Sequence, residues 1–505
     1  MDYLQNEKGI LQHLDIKIAR PTVVGLIVAA VMSLVLVLRR QAPSIPVING
    51  RTRLRGQRLQ DFLVNAQDLI RLGFKRSRVF QLMTNLGPMI LLSSEYIEEI
   101  KNDTRLSLSL WFHKEYFSDL AGFAAFRLAE MGPIMRDAIK LRLTYGFDNI
   151  VEPISTETSC FLADNWSDNE EWREVLVSAS VEKLAARFAS LLFYGPELRA
   201  NKEWNAAQEE YLKTAWRAVE ELRLWPQPLR PIIHWFLPTC RTLRRQERAV
   251  RSLIEPVLAA RQTQGEHEVV NYNDSIQWLA DAARGRSYDA AMGPLAFVGG
   301  ASPATVDLLS QVLLDLSERP ELIDALRQEV SNVKPHINNW AKHEMQQLRL
   351  MDSVLKETQR LKPVESVMMK RTATQSLTLS DGYHIPRGSN IGVSVAMMRD
   401  PDIYTCPDEY DGYRFLRMRE QRGYETIAQL TCTSPIHLGF GHGLQSCPAR
   451  FFVSTQIKIV LCHILLKYDI KPVGEGARVQ PYGLNLLADP TARLLVRRRS
   501  AESLL

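Results

Sequence analysis

The 505-residue sequence lacks the marks of several large protein classes. Its six cysteines, at positions 160, 240, 406, 432, 447 and 462, follow no framework spacing and include no C-x-x-C. That pattern argues against a disulfide scaffold and against a closed zinc site, which needs several Cys or His ligands at recognisable spacing. A net charge of +5 is small for this length, and no run interleaves aromatic with basic residues, so nothing points to nucleic acid. Gly/Ser linkers, low-complexity tracts and clear internal repeats are missing beyond residue 58. The roughly 450 residues there far exceed the usual ~150 per domain, and with nothing to divide them they read as one large domain. A hydrophobic fraction of 46% can fill its core. Helix-period segments such as 172–187 outnumber strand-like alternation, so the fold class is mostly α with minor β.

One long apolar run is present near the start. Val23–Leu38 carries no charge, and Pro21 and Thr22 extend it to the ~17 residues a membrane helix needs. A cleavable signal peptide is the competing reading, but the run is too long, starts late and lacks a small-x-small cleavage site. Arg39, Arg40, Arg51, Arg53, Arg55 and Arg58 follow it, which by the positive-inside tendency leaves the body of the protein cytosolic. The expected division is a lumenal segment 1–20, an anchor 21–38, a basic and proline-containing hinge 39–58 stiffened by Pro43 and Pro46, and a globular domain 59–505. Leu222–Pro238 is a second membrane-contact candidate, since Trp225 and Trp235 stand beside arginines and prolines; core packing of both tryptophans is the alternative.

Near the other end, the run from His437 to Phe452 puts Cys447 between a glycine-rich loop and an apolar helix. Gly441 and Gly443 permit a sharp turn and close approach to a flat ligand, and Pro448 suits a first helical position. The positive end of the following helix then favours the thiolate, the metal-binding form of cysteine. A buried, inert cysteine is the plainer alternative. The stretch Phe440-Gly-His-Gly-Leu-Gln-Ser-Cys447-Pro-Ala resembles the cysteine-ligand loop of cytochrome P450, the haem-thiolate monooxygenase family. It departs from that pattern at Gln445, where a basic residue is usual, and at Ala449, where glycine is usual. Gln445 can hydrogen-bond a haem propionate without neutralising it.

Two upstream segments stand in the order the family requires. Glu357 and Arg360, three apart in Lys356-Glu-Thr-Gln-Arg360, share a helix face, as ion pairs on solvated helices also do. The segment Pro407–Phe415 resembles the one whose arginine joins that pair, so Glu357, Arg360 and Arg414 are carried over as a structural network that positions the cysteine loop. On a long apolar helix near 295–316, Pro303 leaves the Gly299 carbonyl without its helical donor, which is expected to kink the helix and open a groove. Ala301-Ser-Pro-Ala-Thr305 resembles the family's A-G-x-[D/E]-T stretch. The resemblance gives Thr305, with Ser302 and ordered water, the role of delivering protons on the oxygen side; a threonine bonded back to its own helix is the alternative. Propionate partners implied in the same way are Arg371, with Lys370 as fallback, and Lys140 or Arg136 on an earlier helix. Arg414, Arg417 and Arg419 form a basic cluster in the segment expected to face an electron donor.

The resemblance covers nearly all of the chain after the anchor and is strongest to filamentous-fungal enzymes of specialised metabolism. It implies a cytochrome P450 fold, a haem b with axial sulfur from Cys447 and ring contact from Phe440, and a membrane-bound NADPH-dependent reductase as partner. The implied site is the endoplasmic reticulum membrane. The implied reaction is hydroxylation or further oxidation of an apolar terpenoid, meroterpenoid or polyketide intermediate with dioxygen. Two alternatives stand beside it: a haem-thiolate isomerase, cyclase or dehydratase without net oxygen insertion, favoured by the departures at Ser302, Pro303 and Ala304, and a non-catalytic anchored binding protein.

Overall fold

A computed structural model describes residues 45–50, 55–129, 132–146, 148–265, 272–333, 340–474 and 479–500. The expected lumenal segment and anchor lie outside the described residues. Part of the expected hinge docks on the globule: Val47 bridges in parallel to Gln81, Ile48 N donates to Gln81 O at 3.0 Å, and Gln81 N donates to Pro46 O at 2.8 Å. The first described helix then starts at Arg55 and ends at Arg76.

Helices form the body and short strands flank it. The largest sheet has five strands in the spatial order Val79–Thr84, Gly87–Leu92, Asn390–Ser394, Val367–Ala373 and Leu106–Ser107. Its one parallel pairing joins Gly87–Leu92 to Asn390–Ser394. In Val367–Ala373 the register shifts between Met368 and Arg371, and Met369 takes the left-handed conformation at φ 51°. This irregularity re-aims the side chains that follow it. A three-stranded antiparallel sheet combines Arg173–Leu176, Arg493–Arg498 and Tyr468–Pro472, so the chain end closes back onto its middle.

Two helices organise the core. Gly293–Ser317 is continuous through Pro303, so the proline does not end it. It is apolar and long enough to cross a membrane by composition, yet most of it is buried, the usual state of a core helix. Arg450–Lys467, directly after Cys447, is buried from Phe452 to Leu465 and packs against Asp148–Trp166, which explains why its sequence is apolar on every side.

The long helix carries buried polar groups as well. Asp307 Oδ1 accepts from Ala488 N at 2.7 Å, and burial pushes its carboxyl from the ordinary 3.8 up to about 6. Between those values the folded protein holds a proton the unfolded chain has lost, so this site's contribution to stability falls as pH rises through that window. Asp307→Asn keeps the acceptor for Ala488 and removes the charge. It is expected to flatten that slope and to raise stability at neutral pH by ~2–3 kcal/mol in denaturant titrations at acid and neutral pH.

Candidate active site

The cysteine loop is built by backbone turns. Gly441 and Gly443 have φ of +67° and +79°, which only glycine adopts without strain. Gly441 N donates to Leu438 O at 2.8 Å, Ser446 N to Gly443 O at 3.1 Å and Cys447 N to Phe440 O at 2.9 Å. The close approach at Gly443 is to protein: an added Cβ would stand 2.4 Å from Lys101 O. The helix begins at Arg450 with Ala449 as its cap, so Pro448 sits in the turn before it and not at the first helical position.

The backbone N–H groups of Ala449 and Arg450 and the positive charge of the Arg450 guanidinium favour the charged form of the Cys447 sulfur. Burial acts in the opposite direction and is the larger effect, so the thiol stays above its ordinary range. Enclosed as it is, Cys447 retains accessible surface. Phe440 is half-buried against the main core.

The long helix has an open stretch of small residues. Gly300, Pro303 and Ala304 are exposed although the helix is otherwise embedded, and their spacing puts them on one face. Thr305 is buried at 8% exposure. Thr305, to which the resemblance assigns proton delivery, is thus more enclosed than its neighbour Ala304, which has no hydroxyl. The side chain of Ser302 lies outside the described residues. A Cβ at Gly299 would meet Phe126 at 3.7 Å. The Phe126 ring stacks on Tyr116 at 5.2 Å and meets Trp216 edge-on at 5.0 Å, forming an aromatic cluster beside the helix.

Arg371 stands on the strand Val367–Ala373. It is 6% exposed, its Nη1 donates to Lys370 O at 2.7 Å and its Nη2 to Gln445 O at 3.3 Å, two residues before Cys447. No carboxylate among the described residues pairs with it, and burial lowers its pKa to about 10. A buried cation matched only by carbonyls is costly, and a carboxylate on a bound group would relieve it. Lys370 is not available for that task, because its ammonium lies 2.7 Å from both Glu115 and Glu365. Lys140 and Arg136 are exposed, with Lys140 5.9 Å from the ring centroid of Tyr145, so the structure does not bring either to Arg371. Gln445 is also committed elsewhere: its Oε1 accepts from Leu108 N and its Nε2 donates to Leu106 O, each at 2.8 Å. Its amide ties the loop to the sheet edge, a use that the sequence expectation of a propionate contact did not include.

Glu357, Arg360 and Arg414 are brought together. Glu357 takes Arg360 Nε at 2.7 Å and Nη2 at 2.8 Å, and Arg414 Nε at 3.0 Å. Both side chains of the Glu357–Arg360 pair are fully buried. The guanidiniums then reach main-chain carbonyls: Arg360 those of Met398 and Pro407, Arg414 those of Thr405, Cys406 and Glu409. Because Arg414 is buried, only Arg417 and Arg419 of the expected docking cluster remain at the surface, and Arg417 pairs with Asp411.

Sequence reasoning missed how this helix holds the loop. Every residue from Leu350 to Leu361 of Arg349–Leu361 is buried. Lys356 Nζ donates to the carbonyls of Ile427, Gln429 and Cys432, and burial lowers its pKa to about 8. His437, kept neutral by burial, meets Lys356 O at 3.2 Å, and a Cβ at Gly439 would strike Gln359 Oε1 at 2.0 Å. Helix and loop are thus interlocked from Ile427 to Gly439, just ahead of the cysteine. A basic residue beside the Glu357–Arg360 pair was the one signal of this in the sequence.

A cysteine sulfur just before a helix, an open helix stretch of small residues and a buried arginine with no carboxylate partner among the described residues are the features that a flat, anionic, iron-bearing ring would need in a haem-thiolate protein. The cytochrome P450 family profile matches residues 111–496, and the chain belongs to that family. The chain is 45% identical to cytochrome P450 monooxygenase easM of Aspergillus fumigatus over 99% of its own length and 98% of that protein. It is 37% identical to cytochrome P450 monooxygenase adrA of Penicillium rubens, over 95% and 96% of the two chains. The retinoic-acid-bound cyanobacterial CYP120A1 shares the fold, with a TM-score of 0.68 at 17% identity over 91% of this chain and all of the other. The fold is the cytochrome P450 fold, and the protein is a cytochrome P450 monooxygenase related to fungal enzymes.

Proposed function

We propose that this enzyme oxidises C–H bonds of an apolar terpenoid, meroterpenoid or polyketide intermediate in fungal specialised metabolism, with Cys447 as the haem-iron ligand and Arg371 as the partner of a haem propionate. The observation that carries the site reading is that Arg371, a buried cation with no carboxylate partner among the described residues, donates to the very loop that presents Cys447. Haem, when bound, supplies the activation of dioxygen with electrons from an NADPH-dependent reductase. The protein's own residues do the rest. The backbone N–H groups of Ala449 and Arg450 favour the thiolate, the small residues Gly300, Pro303 and Ala304 would leave room for a flat ring, and the Phe126, Tyr116 and Trp216 cluster beside Gly299 would offer an apolar substrate a dry surface. Glu357, Arg360 and Arg414 act at a distance by fixing the run that leads to the loop.

Membrane association fits the same reading. Trp225, Leu229, Ile232, Trp235 and Phe236 are all exposed, which favours lipid contact over core packing for the 222–238 segment and joins it to the anchor read at 21–38. The body would then sit on the cytosolic face of the endoplasmic reticulum, where an apolar substrate can enter from the bilayer.

One observation favours a second reading. Ala304, exposed on the long helix, stands where the family's A-G-x-[D/E]-T stretch has its acid and brings no group that passes protons, which suits a reaction without oxygen insertion. Isotopic dioxygen separates the two. Incubation of the membrane-bound enzyme with reductase, NADPH and candidate terpenoids, meroterpenoids and polyketides is expected to give product carrying labelled oxygen, with NADPH consumed in step. Product formed without label or NADPH consumption would select the isomerase, cyclase or dehydratase reading.

A further inference from the structure

The strand that carries Arg371 also carries a second group of charges, which the cysteine site does not use. Lys370 Nζ lies 2.7 Å from Glu115 Oε1 and 2.7 Å from Glu365 Oε1. Glu115 is fully committed: its other oxygen accepts from Trp111 Nε1 at 2.6 Å, and Arg223 lies 3.8 Å away. Glu365 is not. Lys370 is the one hydrogen-bond partner of its carboxylate among the described residues, and it uses a single oxygen. Protein surrounds Glu365 closely enough to raise its carboxyl pKa, yet 19% of its side chain stays accessible. Accessible surface at an enclosed position faces an internal space.

The neighbours locate it in the fold. Glu115 precedes Tyr116, whose ring belongs to the aromatic cluster beside Gly299. Arg371 follows Lys370 and donates to the cysteine loop at Gln445 O. On the far side, Glu365 bridges to Asn485 and Ser366 N donates to Leu484 O at 2.8 Å, while Ala488 N reaches Asp307 on the long helix. Glu365 therefore stands between the strand whose Arg371 reaches the cysteine loop and the helix whose Tyr116 joins the aromatic cluster beside Gly299.

We propose that Glu365, held in place by Lys370, anchors a hydroxyl group on an otherwise apolar substrate. The proposal deepens the monooxygenase reading and rests on it. Lys370 already matches the carboxylate's charge, so the remaining acceptor capacity suits a neutral O–H donor better than a second cation. A charge-assisted bond of this kind, formed away from water, is stronger than a neutral one and fixes which end of the substrate points away from the sulfur.

Imidazoles carrying an alkyl, a ω-hydroxyalkyl or a ω-aminoalkyl tail test it, in a series of tail lengths, on the haem-loaded full-length enzyme. The imidazole nitrogen reports binding through the Soret shift, and the tail explores the cavity. For the tail length that reaches Glu365, the hydroxyalkyl probe is expected to bind about tenfold tighter than its alkyl counterpart. Glu365→Leu should erase that preference and leave alkyl-probe affinity unchanged. Equal affinities at every length in the wild type, a hydroxyl preference that survives Glu365→Leu, or tightest binding of the amino-tailed probe would each overturn the anchor. The wild-type comparison stands even if the variant does not fold. Absence of any Soret shift with all probes would overturn the haem reading and the anchor with it, an outcome distinct from failure of the anchor alone.

Discussion

Glu357→Gln is expected to destabilise the protein by ~3–5 kcal/mol and to release haem, because it strips the one carboxylate that, among the described residues, pairs with a buried cluster of two guanidiniums. In the native arrangement Glu357 takes both Arg360 and Arg414 and also accepts from Asp411 N at 3.1 Å. A neutral amide keeps the shape but leaves two cations enclosed with carbonyls alone. The damage should spread, since Arg360 stacks on Tyr404 at 4.9 Å and the Tyr404 hydroxyl donates to Ile436 O at 3.0 Å, one residue before His437. Thermal unfolding followed by circular dichroism and by Soret absorbance reads both effects. The Soret signal is expected to fall at lower temperature than the helical signal. Glu357→Asp, which retains the charge, should recover part of the loss.

The other large effect concerns Cys447. Cys447→Ala is expected to abolish oxygenated product, yet to cost little global stability, because the loop is held by Gly441, Gly443, Gln445 and the Lys356–His437 interlock and not by the sulfur. Product analysis beside a guanidinium chloride titration separates this from unfolding. Loss of turnover with an unchanged midpoint assigns the residue to the reacting centre. Turnover close to wild type would remove Cys447 from the site.

The elements that were legible in the sequence are those whose cause is local. The cysteine loop is one: Gly441 and Gly443 are there because the chain turns through positive φ, and a helix follows immediately. Glu357 and Arg360 were placed on one helix face by their spacing alone. What could not be read is set by partners distant in sequence. Arg349–Leu361 looks half-solvated because it holds Lys356, Glu357, Gln359 and Arg360, yet it is buried, since carbonyls from 398 to 432 take its charges. Gln445 looks free to meet a ligand, but residues 106 and 108 occupy its amide. How far Thr305 is enclosed depends on helix rotation, and the small residues at 299–304 leave no apolar periodicity by which to set it. Trp225 and Trp235 were ambiguous for the same reason: periodicity cannot show which face the fold leaves exposed.

The reduced carbon monoxide difference spectrum of the full-length protein in membranes tests the central claim most directly. A red-shifted Soret band of the thiolate type in the wild type, absent from Cys447→Ala, is the predicted result. A folded, haem-loaded wild type without that band, or a band that persists in Cys447→Ala, would contradict the assignment of Cys447 as the haem ligand.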